Sequence, residues 1–562
     1  MKPMTRATML TLSLVGLGLA STVTNLGNRY SQDDMAVIEK NPLVHSLAEP
    51  WSFFTQSYWP KPYPPALYRP LATTGFATQW VLGGGRSWVF RTVSITMYAG
   101  TGLALFHLAG LVLPAVAAWL VAAFFLVHPV HVEAVAVAVN QSEIMVGLLS
   151  VVTVALYLGI RRKHQFDPRH AAALFGLYLT ATLFKETGLM VIGLIVAAEL
   201  TVVKDPRPVR ERLATIRPML LVMLLGAATF FAIRTFALEG DAVGTFTAEA
   251  LDGLSIGGRA LTMLAVVPHW YRLLLWPAHL QGDYSPREIE AATTWTLDQT
   301  QGALLVGFAV ILAVACWRRY PVVTFGLLWV AIGIFPVSNV LVPTGIALAE
   351  RTLFLPSIGM MLVVGGLAAP VIERLKSRGA RIGAGIAVAA ILVMGATRSA
   401  SRQRVWKDQF TFWYQTSIDA PLSYRAHHAL AQLLFQIGSR SWAEREYKTA
   451  IALYPKQWGA YFELANKLRL NGLCEEAVRY YRQTLLIEPE QEAARTSMIA
   501  CLFYLGKYSE ARAESREGVA YASRPARVRV FQRLLRVSDS AAVAGAPAGT
   551  VRISMTPQDT MP

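Results

Sequence analysis

Residues 30–71 read YSQDDMAVIEKNPLVHSLAEPWSFFTQSYWPKPYPPALYRPL and directly follow the first apolar run of the chain. This segment joins an adjacent acidic pair, Asp33 and Asp34, to seven aromatic residues between positions 51 and 68. Aromatic rings favour the membrane–water boundary. Two neighbouring carboxylates repel each other, and such repulsion can prepare one of them to act as a general base. The segment is therefore either a helix cap beside an aromatic belt or an active-site loop.

The composition is that of a membrane protein. Of the 562 residues, 54% are hydrophobic and only 16% are charged, and the mean hydropathy is +0.39. Such values predict many membrane spans. The net charge of +16 lies in short loops between apolar runs, which is the placement that membrane topology requires and which argues against a nucleic-acid partner. The three cysteines have no zinc-like spacing.

Eleven apolar runs predict a polytopic helical bundle over residues 1–400, with the acidic pair in a first loop at 25–90. They lie at about 9–23, 92–110, 112–127, 143–160, 171–184, 187–203, 218–236, 302–316, 321–337, 352–370 and 381–397. We interpret the first run as a retained span that presents the acidic loop, and the alternative is a cleaved signal peptide.

The segment 259–276 is apolar, but Pro268, His269 and Arg272 lie in its middle. A charge and a proline are costly at the bilayer centre, so the segment is interpreted as interfacial or re-entrant. If it does not cross, the basic loops and the N-terminus all fall on the cytoplasmic side, and residues after Ala400 fall on the other side. These basic loops are Arg161–Lys163, Lys204–Arg217, Arg318–Arg319 and Arg374–Arg381.

A repeat begins at about residue 421. Gly438, Gly472 and Gly506 are 34 residues apart, and Ala443 and Ala477 keep the same interval. A period of 34 with these residues is typical of tetratricopeptide (TPR) repeats. The chain is therefore predicted to be all-α, with an α-solenoid of about three repeats at 421–520. The segment 522–562 is predicted to be a disordered tail.

Further polar groups lie at predicted span ends on the side of the acidic pair. They are His128, His131 and Glu133; Lys185 and Glu186; the segment Gly282–Pro286; and Glu350 with Arg351. A metal site at the two histidines is disfavoured because Pro129 breaks a single helical face, so a polar cavity lining is preferred. A simple ion pair at 185–186 and a turn at 282–286 are the alternatives for those positions. A carboxylate base beside cations suits transfer from a lipid-linked phosphate.

The ordered motifs DDMAVIEKNPLV, FLVHPVHVEAVA, LFKETG, GDYSP and LAERTLFLPSIG, followed by TPR repeats, resemble the TMTC group. These transmembrane-and-TPR proteins belong to the GT-C glycosyltransferase superfamily, and the resemblance covers about residues 5–515. It implies a GT-C membrane core that takes a sugar from a polyprenyl or dolichyl phosphate sugar. In the TMTC group the sugar is mannose and the acceptors are protein Ser/Thr hydroxyls.

The resemblance also implies site residues. The catalytic pair would be Asp33 and Asp34, with the site lined by His128, His131 and Glu133. From their placement at span ends, Glu186 and Glu350 are also expected to line it. From charge and placement, Lys185, Arg351 and Arg69 are expected to bind the donor phosphate. No metal and no cofactor beyond the lipid-linked sugar are expected. The repeats are expected to engage the acceptor or a partner on the periplasmic or lumenal side, and the short repeat array favours a bacterial inner membrane over the endoplasmic reticulum.

Two other functions are compatible with the sequence. A membrane-anchored TPR scaffold without catalysis would make the acidic loop dispensable. A transporter is disfavoured because the spans show no evident inverted duplication.

Overall fold

A computed structural model describes residues 5–63, 66–163, 167–239 and 247–551, and within these ranges it contains helices and no strands. The chain forms two compact units. The membrane unit comprises Met1–Ser285 and Ile289–Asp419, and the repeat unit comprises Pro286–Glu288 and Ala420–Pro562. The predicted all-α, multispan fold with a helical-repeat region is confirmed.

The membrane unit contains fifteen α-helices in its described residues. They are α1 (Arg6–Thr22), α2 (Pro70–Gly83), α3 (Ser87–Gly110), α4 (Ala115–Val127), α5 (Val132–Ala136), α6 (Gln141–Lys163), α7 (Pro168–Phe184), α8 (Val191–Thr201), α9 (Val209–Ala237), α10 (Ile256–Leu275), α11 (Leu297–Cys316), α12 (Pro321–Ile334), α13 (Phe354–Arg374), α14 (Arg378–Gln403) and α15 (Gln409–Asp419). Each of the eleven predicted apolar runs is helical.

In the residues that the structure describes, seven helices are long and apolar enough to cross a membrane, so the chain is a multi-pass membrane protein. An eighth candidate is the bent pair of α4 with Pro129–Ala136, whose two parts meet at 48°. The seven are Arg6–Gly27, Ser87–Gly110, Ala138–Lys163, Val209–Ala237, Leu297–Cys316, Glu350–Arg374 and Arg378–Trp406. In the described residues α10 is not among them, and neither are α7, α8 and α12, which cover the predicted spans 171–184, 187–203 and 321–337.

Close helix packing in this unit depends on small residues. Gly326 on α12 faces Gly359 on α13, and a Cβ on either residue would lie 2.5 Å from the carbonyl oxygen of the other. Gly147 on α6 similarly admits the ring of Phe354, which would lie 2.6 Å from an added Cβ. Such contacts let backbones approach where lipid and side chains are equally apolar.

The end of α6 carries a buried group of charges that we call the Glu199 cluster: Tyr157, Arg161, Glu199, Asp205 and Arg212. Glu199 accepts hydrogen bonds from the Tyr157 hydroxyl at 2.5 Å and from the guanidinium groups of Arg161 at 2.8 Å and Arg212 at 3.0 Å. Arg161 also pairs with Asp205 at 2.9 Å. The cluster ties α6, α8 and α9 together.

Several basic connections lie at this same end of the bundle. Residues from the α3–α4 connection, the ends of α6 and α8, and the start of α12 line one cavity. We call this end of the membrane unit the basic-loop face. The opposite end, where α6 begins, holds the first loop and is called the first-loop face.

The repeat unit is a run of paired helices. It contains α16 (Tyr424–Gln436), α17 (Arg440–Leu453), α18 (Trp458–Leu470), α19 (Cys474–Ile487), α20 (Glu492–Tyr504), α21 (Tyr508–Tyr521) and α22 (Pro525–Val543). Gly438, Gly472 and Gly506 each follow the first helix of a pair with φ between 71° and 83°, which a glycine adopts without the steric penalty of a side chain. Buried Tyr447 and Tyr481 occupy equivalent core positions.

The expectation of a disordered segment from 522 differs from the structure, because α22 is a packed helix. Its Phe531 is fully buried and lies against Gly518 of α21, where an added Cβ would approach the ring to 2.3 Å. The apolar side chains of α22 recur at helical spacing, and this amphipathic pattern outweighs the Ala- and Ser-rich composition. Residues 552–562 lie outside the described residues.

Candidate active site

Asp34 is fully buried and its carboxylate is held by three donors. Arg91 of α3 donates to Oδ2 at 2.9 Å, the Val139 N–H donates to Oδ1 at 2.9 Å, and the Ala138 N–H donates to Oδ2 at 3.2 Å. Arg91 also donates to the Arg29 carbonyl at 2.7 Å. Through these hydrogen bonds the Asp34 carboxylate joins the first loop to α3 and to the α5–α6 connection. Because three donors already occupy its oxygens, the carboxylate is poorly placed to accept a proton from a substrate.

Asp33 is the partly exposed member of the pair. Its negative charge acts on the Tyr58 hydroxyl and on the Arg351 guanidinium. The preceding residue, Gln32, has a φ of 51°, and its N–H donates to the Gln409 side chain at 2.8 Å. A left-handed conformation is unfavourable for a residue with a side chain, and it persists here because tertiary contacts impose it. The backbone before Asp33 is therefore held in an unusual geometry.

Arg351 pairs with the nearly fully buried Glu133. The Arg351 N–H also donates to the same carboxylate at 2.8 Å. Glu133 thus fixes both the backbone and the charged end of Arg351. This pair joins α5 to the turn Glu350–Leu353 that precedes α13.

Lys185 pairs with Glu143 at the start of α6. Burial lowers the pKa of Lys185, and the charge of Glu143 opposes that shift. The next residue, Glu186, pairs with Arg69 at 3.2 Å and with Arg234 at 2.7 Å. Burial alone would raise the pKa of Glu186, but Arg69 and Arg234 together lower it to about 2.

These side chains form a connected group. We call it the first-loop cluster: Asp33, Arg69, Glu133, Glu143, Lys185, Glu186, Arg234 and Arg351. It has as many carboxylates as cations, so its formal charge is zero. The guanidinium of Arg69 also lies over the ring of Tyr58, 5.1 Å from the centroid, which gives the cluster an aromatic wall.

Three predicted lining residues form hydrogen bonds within the protein. Both ring nitrogens of His131 are engaged by the protein: Nδ1 lies 2.9 Å from the Tyr98 hydroxyl, and Nε2 lies 2.8 Å from the Ser357 hydroxyl. His128 contacts the Leu274 carbonyl at 3.2 Å through Nε2 and accepts from the Val130 N–H at 3.3 Å through Nδ1. These contacts engage the ring nitrogens of both histidines, and their lining of the site stays a prediction.

Glu350 is the third of these residues. It is buried, accepts from the Gln281 N–H at 2.6 Å, and accepts from the Tyr284 hydroxyl at 3.1 Å. Its carboxylate therefore holds the GDYSP segment against the turn that carries Arg351. In the described ranges, no group of three His, Cys, Asp or Glu side chains is arranged to hold a metal ion.

Sequence reasoning missed three members of this arrangement: Arg91, Glu143 and Arg234. Arg91 and Arg234 each lie inside an apolar helix that is long enough to span the membrane. A charge in such a helix is unfavourable without a partner, and that signal was present in the sequence. Glu143 ends the polar stretch Asn140–Glu143, and its partner Lys185 lies 42 residues later.

Several known proteins that are similar to this chain in sequence are protein O-mannosyl-transferases by name. No family model matches the chain. Protein O-mannosyl-transferase F38B6.6 of Caenorhabditis elegans is 24% identical over 457 residues, which cover 79% of this chain and 62% of that protein. Human protein O-mannosyl-transferase TMTC1 is 24% identical over 500 residues, which cover 79% of this chain and 55% of that protein. The resemblance to the TMTC group is confirmed.

The match is partial in length. Human TMTC4, also a protein O-mannosyl-transferase by name, is 24% identical over 68% of this chain and 57% of its own length. The chain thus spans a little over half of the curated relatives it matches. Among solved structures, yeast Tom70 covers 80% of this chain and 96% of its own, at 12% identity and a TM-score of 0.21, which is too low to define a shared fold.

Proposed function

We propose that the chain is an integral-membrane glycosyltransferase that moves mannose or a similar sugar from a polyprenyl or dolichyl phosphate sugar to an acceptor hydroxyl, with protein Ser/Thr as the acceptor class. The observation that carries this proposal is the division of the acidic pair: Asp34 is locked by Arg91, whereas Asp33 is partly exposed within the first-loop cluster. The names of the TMTC relatives support the same chemistry.

In the proposed reaction Asp33 is the general base. It takes the proton of the acceptor hydroxyl while the acceptor oxygen attacks the anomeric carbon, and the bond between that carbon and the phosphate oxygen breaks. This single displacement inverts the anomeric configuration. The products are a glycosylated acceptor and a lipid phosphate that carries the bonding electrons.

Arg351 and Lys185 are proposed to stabilise the leaving phosphate. Each already has a carboxylate partner, but an arginine has five N–H donors and a lysine has three. Their side chains remain 18% and 13% exposed, respectively. Donors are thus left for phosphate oxygens without breaking the pairs with Glu133 and Glu143.

Asp34 is proposed to position Asp33 rather than to accept the proton. Its bonds to Arg91 and to two backbone amides fix the loop one residue away from the base. This assignment differs from a simple reading of the pair as two equivalent catalytic carboxylates.

The topology that fits this function places the basic-loop face in the cytoplasm and the first-loop face on the opposite side. The repeat unit would share the side of the first loop, where it would engage the acceptor or a partner protein. A periplasmic phosphatase reporter fused after Ala420 should be active, and an active cytoplasmic reporter at that point would contradict the arrangement.

The decisive experiment compares glycoproteomes of cells that carry the wild type, Asp33→Asn or Glu39→Gln, with cells that lack the gene. Glu39 is an exposed carboxylate of the same loop and serves as the matched control. We expect Asp33→Asn to lose about 10²- to 10⁴-fold in transfer without a change in thermal stability, while Glu39→Gln stays active.

Two outcomes would contradict the proposal in different ways. Wild-type modification by Asp33→Asn would remove Asp33 as the base. Identical glycoproteomes with and without the gene would exclude an enzymatic function and leave the membrane-anchored scaffold.

Asp34→Asn should instead lower the folded yield, because Arg91 would be left buried without its charge partner.

A further inference from the structure

A cavity of about 540 Å³ opens at the basic-loop face, far from the first-loop cluster. Helix α6 runs between the two: Glu143 lies in its first turn and Arg161 in its last. At about 1.5 Å per residue, these two positions are roughly 27 Å apart along the helix axis. That length is close to the thickness of a bilayer hydrocarbon core.

The cavity combines apolar walls with positive charge. Its walls include Leu111, Leu113, Leu158, Val202 and Val322. Its charged lining residues are Arg161, Arg162 and Lys204, and none of its lining residues is acidic.

Two of these three cations are not neutralised by a carboxylate in the described part of the chain. Arg161 is occupied by Glu199 and Asp205. Arg162 and Lys204 are exposed, and in the part of the chain that the structure describes neither has a hydrogen-bonded or ion-paired partner. The acid beside Lys204, Asp205, is itself engaged by Arg161 at 2.9 Å and by Arg207 at 2.6 Å. The cavity mouth therefore carries two uncompensated positive charges.

We propose that this cavity binds one anionic phospholipid, with Arg162 and Lys204 holding the headgroup phosphate and the apolar walls receiving the first part of an acyl chain. Lipid phosphates lie at the ends of membrane helices, which is where these two residues are found. A free phosphate would use the cations but leave the apolar walls unfilled. The proposal does not depend on the transferase function.

The test uses the full-length protein purified in detergent. Binding of phosphatidylglycerol is titrated by native mass spectrometry and compared with phosphatidylcholine of the same chains. Each basic residue near an anionic lipid contributes about fivefold in affinity, so Arg162→Gln/Lys204→Gln should bind phosphatidylglycerol about 25-fold more weakly. The matched control is Arg318→Gln/Lys376→Gln, which removes two exposed cations of other basic loops and should bind as the wild type does.

A second variant keeps both cations. Gly110 lines the cavity, and no atom lies within 4 Å of a Cβ added there, so Gly110→Phe should fold and reduce the space for lipid. We expect it also to lower phosphatidylglycerol binding. This variant tests the proposal even if the charge variant fails to fold.

Three results would overturn the proposal. Equal binding of phosphatidylcholine would show an apolar groove without headgroup recognition. Inorganic phosphate that competes fully with the lipid would show a free-phosphate site. Equal loss of binding in the control variant would show a general effect of surface charge.

Discussion

The two ends of α6 carry ion pairs of the same chemistry but with different access to solvent. In the Glu199 cluster the carboxylate is 0% exposed and Arg161 is 4% exposed. In the first-loop cluster Lys185 is 13% exposed, Arg351 is 18% exposed and Glu186 is 24% exposed. A fully enclosed pair can only hold helices together, whereas a pair that keeps some solvent contact can also offer donors to a ligand. This difference in exposure, rather than residue type, is the basis for assigning a structural role to the Glu199 cluster and for proposing a functional role for the first-loop cluster.

The largest effect on folding is expected from mutations in the Glu199 cluster. Glu199→Ala leaves Arg161 and Arg212 without their shared acceptor, and removing one partner of a buried ion pair costs about 3–5 kcal/mol. Thermal unfolding followed by size-exclusion chromatography should show the loss. The exposed Glu211 on α9 is the matched control, and Glu211→Ala should unfold like the wild type. An unchanged melting temperature for Glu199→Ala would mean that the cluster is not structural.

In the first-loop cluster, mutations should affect turnover more than folding. Arg351→Ala and Lys185→Ala each remove the charge-assisted hydrogen bonds that we propose to the donor phosphate, which predicts a loss of about 10- to 100-fold in kcat/KM for the donor. Arg351→Lys should recover part of the loss, because lysine keeps the charge but not the planar fork. Arg86→Ala, an exposed arginine that precedes α3, is the control. Unchanged donor kinetics in both alanine variants would refute the phosphate assignment.

A smaller, pH-dependent effect should come from Glu186. Its pKa is about 2, below the ordinary value of 4.5, so its ionised form stabilises the fold fully above pH 4.5 and loses that contribution as the pH falls toward 2. The difference in melting temperature between wild type and Glu186→Gln should therefore be constant from pH 5 to 8 and shrink below pH 4.5. A difference that changes between pH 6 and 8 would contradict the assigned charge state.

Removal of divalent metal ions is expected to have no effect on the transfer rate. If the cations of the first-loop cluster neutralise the leaving phosphate, EDTA should leave the transfer rate unchanged, since no divalent ion is needed for that task. Transfer rates before and after EDTA treatment provide the measurement. A loss that manganese or magnesium restores would show that a metal supplies the charge.

Long-range pairing explains what could and could not be predicted. The spans follow from apolar runs long enough to cross a bilayer, and the repeats follow from a 34-residue period, so both are visible locally. Asp33 and Asp34 are identical neighbours, and it is the contacts of Asp34 with Arg91 and with the amides of Ala138 and Val139, all more than 50 residues later, that distinguish them. The partners of His131 likewise come from α3 and α13. The helix α22 was within reach of sequence reasoning, because its amphipathic spacing is local.

The pairing of Glu133 with Arg351 also limits when this part of the membrane unit can be completed during synthesis. Arg351 follows Glu133 by 218 residues, so at about 5–20 residues per second a ribosome needs roughly 10 to 40 seconds to supply it. During that interval Glu133 lacks its cation, and a buried carboxylate without a partner is unfavourable. A nascent chain released before α13 would hold the acidic pair but would lack Arg351, α13 and α14, so truncated products are expected to lose more activity than Arg351→Ala does.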